Sequence, residues 1–152
     1  MNGGDRKIFL DTNMLVFANI EEAPLHTFAL TALQEHEQAG TEMWISRQVL
    51  REYLATLSRP QTFTPPISSE KLALQIGAFI VRFQIADDTA SVTERLLDLI
   101  RQGPIGGKQI HDANIVATML TYNIPNLLTN NTEDFKRFSH LITVLSLDAS
   151  IS

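Results

Sequence analysis

The chain contains no cysteine. Disulfide staples and thiolate zinc sites are therefore excluded, and a reducing compartment fits. It also lacks a basic excess: 12 Lys and Arg against 17 Asp and Glu leave a formal net charge of −5. No overall positive field draws it to phosphate backbones, which argues against a pure nucleic-acid-binding module. An enzyme whose negative charge is gathered around a cation stays open. Long apolar runs are missing too. The run Ile8, Phe9, Leu10 breaks at Asp11, too soon for a secretory leader, and IGAFIVRFQI is interrupted by Arg82 and too short to span a bilayer. A soluble, cytoplasmic protein with no membrane association is expected. Internal repeats and low-complexity segments are absent as well.

What is present describes an ordinary globular protein: 152 residues, 44% hydrophobic and 19% charged. That length supports one domain, residues 1–152, with a sizeable core; residues 1–6 are expected to be a flexible N-terminus. Short apolar runs alternate with helical patterns. KIFL reads as a strand. LHTFALTALQEHEQ reads as a helix, with Phe28, Leu30 and Leu33 as its apolar positions and Gly40 as its terminator. EMWIS is a second strand and RQVLREYLATLS a helix stopped by Pro60, followed by the loop SRPQTFTPPISS. KLALQIGAFIVRFQI reads as a helix and then a short strand near Arg82 to Ile85. ASVTERLLDLIRQ is an amphipathic helix, GPIGG a break, IHDANIVATMLTY a helix, NLLT a strand, EDFKRF a short helix and ITVL the last strand. This alternation predicts βαβ units and a parallel sheet covered on both faces, an α/β class.

The stretch KIFLDTNMLV drives an apolar strand into Asp11, Thr12 and Asn13. One explanation is a helix N-cap; the other is a carboxylate placed for chemistry, since sites in open parallel sheets form beyond the carboxyl ends of the strands. Asp112 carries the most information. Ile115, Val116, Met119 and Leu120 form one helical stripe, and Asp112, three and four residues earlier, points into it. A carboxylate on an apolar face is costly unless it is paired or bound to a cation, although a first-turn Asp is also favoured by the helix dipole. Glu52 flanks the stripe of Val49, Leu50, Tyr53, Leu54 and Leu57, and taken alone reads as a surface acid. Asp134 follows a strand, one turn after Asn131, where an ordinary helix start capped by Asn131 or Thr132 explains it equally well.

Together these segments resemble the PIN-domain family (named for the PilT N-terminus), especially the VapC-like toxins of bacterial toxin–antitoxin pairs. The matching stretches are the hydrophobic-DTN at Asp11, ISRQVLRE ending at Glu52, DANIVATML from Asp112, and LLTNNTEDF containing Asp134, in that order from Ile8 to about Leu145. Thr118 and Met119 depart from the small residues commoner in the third motif. The resemblance implies a three-layer α/β/α sandwich with a parallel sheet of about five strands and a metal-dependent endoribonuclease acting on single-stranded or structured RNA. It implies Asp11, Glu52, Asp112 and Asp134 as catalytic metal ligands, and Thr12, Asn13, Thr129 and Asn131 as the groups that fix them. An oxygen-only set suits Mg²⁺ or Mn²⁺, ions that activate water for attack on a phosphodiester. Expected partners are RNA, a separate antitoxin chain and a second copy of the protein.

Arg47, Arg51 and Lys108 are candidates to meet phosphates, or are ordinary solvated side chains. His111 turns about 100° away from Asp112 and reads as a cap or surface residue; His26, His36 and His140 have no ligand spacing. Asp87 and Asp88 read as a helix start capped by Asp88 or Thr89. Two rivals stand beside the nuclease. An aspartyl-nucleophile phosphatase resembling the haloacid dehalogenases needs a second Asp two residues after the first, where this chain has Asn13. A non-catalytic binding or scaffold protein has no need of converging carboxylates.

Overall fold

The computed structural model describes residues 6–147. Of the expected flexible N-terminus, residues 1–5 lie outside the described residues. The element order is β1 (Lys7–Leu10), α1 (Thr12–Asn19), α2 (His26–Gln38), β2 (Glu42–Ser46), α3 (Arg47–Leu57), α4 (Ser69–Arg82), β3 (Gln84–Ala86), α5 (Ala90–Gln102), α6 (Gln109–Tyr122), β4 (Asn126–Thr129), α7 (Thr132–Phe135) and β5 (Thr143–Ser146). A turn of 3₁₀ helix, Lys136–Phe138, follows α7.

The strands form one five-stranded parallel sheet in the order β3-β2-β1-β4-β5. Central strands are buried on both faces, which is why β1 and β4 read as unbroken apolar runs rather than alternating ones. Ile8, Phe9, Leu10, Leu127 and Leu128 are all buried. The edge strands β3 and β5 are shorter on apolar residues and partly exposed. The chain runs from β1 outward to β2 and β3 and then returns to β4 and β5 on the other side; with the usual right-handed crossover this puts helices on opposite faces. The packing agrees: α1 lies against α2 and α3, while α5 lies against α6 and α6 against α7. The architecture is the expected three-layer α/β/α sandwich, and no described helix is long and apolar enough to cross a membrane.

Three local readings need correction or refinement. In α2 the buried residues are Ala29, Ala32 and Leu33, whereas Phe28 and Leu30 stand at 42% and 37% exposure. The small alanines let α2 sit close to its neighbours, and the larger residues fall on its outer side. α4 runs through Arg82, so the strand after it is Gln84–Ala86 rather than Arg82 to Ile85. The helix at Ala90 is capped by Thr89, whose hydroxyl accepts the Val92 N–H at 3.3 Å, leaving Asp87 and Asp88 to pair elsewhere. Gly40 does end α2. At φ +76 it occupies the left-handed region, with Gly40 N–H donating to the Glu37 carbonyl at 3.1 Å and Thr41 N–H to the His36 carbonyl at 2.9 Å.

Candidate functional site

The strand order reverses between β1 and β4, where an open parallel sheet leaves a crevice beyond its carboxyl edge. Asp11 follows the last residue of β1, and Thr129 is the last residue of β4. Helices α1, α3 and α7 begin just after β1, β2 and β4, and the first turn of α6 brings Asp112 to the same place, so positive dipole ends meet at this edge.

Asp11 is 6% exposed. One carboxylate oxygen accepts the Thr12 backbone N–H at 2.8 Å and so caps α1. The other accepts the Thr129 hydroxyl at 2.7 Å and the Asn13 amide at 3.3 Å. Capping and exposure to the crevice are thus compatible in one side chain. Burial pushes the Asp11 carboxyl above the usual range; its hydrogen bonds oppose this, while the charge of Glu52 adds to it. Asn13 ties the two strand tips together: its amide also lies 3.4 Å from the Thr129 hydroxyl, and its side-chain oxygen accepts the Asn130 N–H at 3.0 Å.

Glu52 enters from the second turn of α3. Its Oε2 accepts the Thr12 hydroxyl at 2.9 Å, and its Oε1 accepts the Gln48 amide at 2.8 Å. Asp112, in the first turn of α6, is half-buried, and its carboxyl is pushed up to about 6. Desolvation is the largest cause, followed by the charges of Asp11, Asp134 and Glu52, with His111 pulling weakly the other way. All four sequence-selected acids therefore share one electrostatic environment. Asp11, Glu52 and Asp112 line a single hollow of about 400 Å³, together with Thr12, Asn13 and Asn131. Asp134 is exposed and acts on Asp112 through its charge. Asn131 is the N-cap residue of α7 without a side-chain capping bond, and its N–H donates to the Thr129 hydroxyl at 2.9 Å.

Among the described residues, no three His, Cys, Asp or Glu side chains are arranged to hold one ion directly. The donor set is nonetheless all oxygen, carries several negative charges and is desolvated enough to raise Asp112, which is the chemistry a hard divalent cation fits.

The basic candidates divide. Arg47 pairs with Asp87 at 3.0 Å and Arg51 with Asp88 at 3.2 Å, both at the surface. Lys108 is exposed in a neighbouring hollow of about 540 Å³ that Arg51, Arg59 and His111 also line. His111 is exposed at the surface, and its backbone carbonyl accepts the Gln48 amide at 3.0 Å.

Gln48 is the site residue that no motif singled out. It is 5% exposed, and its amide holds both Glu52 and the start of α6, while its side-chain carbonyl accepts the Asn114 amide at 2.8 Å. Its position four residues before Glu52 on one helix face was the available signal. The partners on α6, more than sixty residues away, leave no trace in the sequence.

The family model described as PIN domain matches residues 8–141. Among solved structures, VapBC2 from Rickettsia felis, bound to a DNA fragment from the promoter, is 25% identical with a TM-score of 0.65, covering 92% of this chain and 98% of that one. DNA-bound VapBC from Salmonella typhimurium is 22% identical with a TM-score of 0.66, covering 93% and 98%. The Mycobacterium tuberculosis VapC20, a toxin that cleaves the sarcin-ricin loop, is 19% identical with a TM-score of 0.57, covering 79% and 86%. Among curated proteins, no sequence matches significantly.

Proposed function

Since the chain belongs to the PIN-domain family, we propose that it is a divalent-metal-dependent endoribonuclease and the toxin of a toxin–antitoxin pair. The single observation that carries the reading is the gathering of Asp11, Glu52 and Asp112 around one hollow at the strand-order reversal. Mg²⁺ or Mn²⁺ held there supplies Lewis acidity and an activated water for hydrolysis of a phosphodiester. Asp11, Glu52 and Asp112 hold the ion, partly through water, and Asp134 adds charge beside Asp112. Thr12, Asn13, Thr129 and Asn131 fix the carboxylates, by the hydrogen bonds they make to Asp11 and Glu52 and to one another. Burial and the crowding of charge push the Asp112 carboxyl up, and a bound cation would relieve that crowding, so Asp112 would stay ionised as a ligand.

Asn13 stands where a phosphatase needs its second acid, and its amide and oxygen are both engaged in tying β1 to β4. A scaffold role leaves the desolvated acids without a reason. The structural neighbours from Rickettsia felis and Salmonella typhimurium are toxin–antitoxin complexes, which supports a separate antitoxin chain as partner. A homodimer in the cytoplasm completes the proposal. The test is cleavage of single-stranded RNA by the purified protein with Mg²⁺ or Mn²⁺, with chelator and Asp11→Asn as controls. Calorimetric metal binding lost in Asp11→Asn separates an enzyme from a scaffold.

A further inference from the structure

The hollow that gathers the acids also has an apolar part to its lining. Phe17, on α1, and Phe63, in the loop between α3 and α4, line it beside Ala55 and Arg59. Both rings pack against the core yet stay partly exposed, so each keeps surface in contact with the hollow. Phe63 sits in an ordered turn. Gln61 and Thr64 exchange backbone hydrogen bonds at 2.9 and 3.3 Å, and the Gln61 amide donates to the Thr56 carbonyl at 2.8 Å. The Ile67 N–H donates to the Leu57 carbonyl at 2.8 Å, which clips the far side of the loop to the end of α3.

Arg59 is anchored but not neutralised. Its Nε donates to the Ala55 carbonyl at 3.0 Å, and among the described residues it has no carboxylate partner, unlike Arg47 and Arg51. It lines both this hollow and the neighbouring one that contains Lys108 and His111. One concavity therefore offers carboxylates, aromatic rings and a cation together in its lining. Neither ring is fully buried, although both are large and apolar. A ligand with a flat π-face joined to a phosphate matches all three features, and an unpaired nucleotide has that composition.

We propose that Phe63 and Phe17 form a base-binding subsite, in which a base flanking the scissile phosphate stacks on Phe63 while Arg59 meets an adjacent phosphate. This rests on the ribonuclease reading and adds to it a preference for unstacked RNA, because a base inside a duplex cannot reach the rings.

The experiment uses the full-length protein and two readouts. In the first, single-stranded RNA oligonucleotides are cut with Mg²⁺ or Mn²⁺, with or without an abasic residue next to the mapped cleavage site. In the second, 2-aminopurine at that position reports stacking in the Asp11→Asn background, where the RNA is not consumed. Phe63→Ala is expected to raise KM about tenfold and to abolish the difference between intact and abasic RNA. Phe63→Leu, which keeps apolar volume for folding but has no π-face, is expected to behave like Phe63→Ala, whereas Phe63→Tyr restores both KM and quenching. Equal discrimination against abasic RNA in wild type and Phe63→Ala overturns the subsite while leaving the nuclease intact. Absence of RNA cleavage by wild type sinks the nuclease reading instead; base stacking is then read alone, on oligonucleotides with 2-aminopurine moved along the strand, and is overturned if they quench alike with Phe63 in place and in the Phe63→Leu variant. If Phe63→Ala weakens binding of a protein partner while both RNA readouts stay unmoved, the apolar lining belongs to that partner and the proposal is wrong.

Discussion

At Asp112 the physics of a single carboxyl sets a measurable dependence on pH. Its folded-state value is pushed up to about 6 from an ordinary 3.8, first by desolvation and then by Asp11, Asp134 and Glu52. Below the lower value both folded and unfolded chains hold the proton. Between the two values the unfolded chain ionises first, so it binds fewer protons than the folded one and stability falls as pH rises. The stability present under acid conditions is fully lost once pH passes about 6. Because the group is partly solvated, the cost is discounted to about 1 kcal/mol, which corresponds to roughly 2–4 °C in Tm for a chain of this size. Asp112→Asn is therefore expected to melt higher than wild type at pH 8 in chelator, with the two converging near pH 4. Thermal melts across that range check it; a variant that melts lower at pH 8 contradicts the assigned repulsion. Asp112 was also the acid most legible in sequence, because it interrupts an apolar stripe. Asp11 was ambiguous for a physical reason: it is both a helix cap and a wall of the hollow.

Among the elements, strands and amphipathic helices could be located from apolar periodicity, since one buried face leaves a spacing. α1 could not be delimited that way. Five of its eight residues are buried, including Met14, Leu15 and Val16 in succession, so no stripe separates it from the strand before it. Phe28 and Leu30 misled for the opposite reason, being large apolar residues on an exposed side of α2. The loop after α3 carried only proline and hydroxyl signals, and its turn at Gln61 and Thr64 arises from pairings that composition does not encode. Gln48 shows how two elements are joined at the site, linking Glu52 on α3 to the His111 carbonyl and Asn114 on α6. Gln48→Ala leaves those partly solvated partners short of a hydrogen bond that water replaces only in part, at an expected cost of about 1 kcal/mol. It is expected to lower Tm and to reduce kcat more than KM, because Glu52 loses its orientation while the substrate hollow keeps its walls. Unchanged kcat in a destabilised variant would show Gln48 to be a packing residue alone.

On the scale of the whole molecule, a net charge of −5 and a nuclease function are reconciled by where the charge lies. Four of the acids share the neighbourhood of one crevice, and a cation bound there relieves repulsion in the folded state only. Mg²⁺ or Mn²⁺ is thus expected to raise the wild-type Tm at neutral pH, and Asp112→Asn to lose most of that response. A shift of the same size in both proteins places the ion elsewhere. The sheet order that builds the crevice was legible only as a class, because α/β alternation specifies parallel strands without fixing which strand neighbours which.

The central claim is that Asp11 holds a catalytic cation at the tip of β1, and the most direct measurement is RNA cleavage by Asp11→Asn. Asn retains the size and capping ability of Asp, so the variant should fold with little change, seen in chelator as a Tm close to wild type. It removes the charge that holds the ion. Divalent-dependent cleavage of single-stranded RNA is expected to fall by orders of magnitude, roughly the loss seen when a metal-binding group is removed from a catalytic site. A folded Asp11→Asn protein that cuts RNA as fast as wild type, or wild-type cutting that survives chelation, contradicts the account and leaves Asp11 as a helix cap.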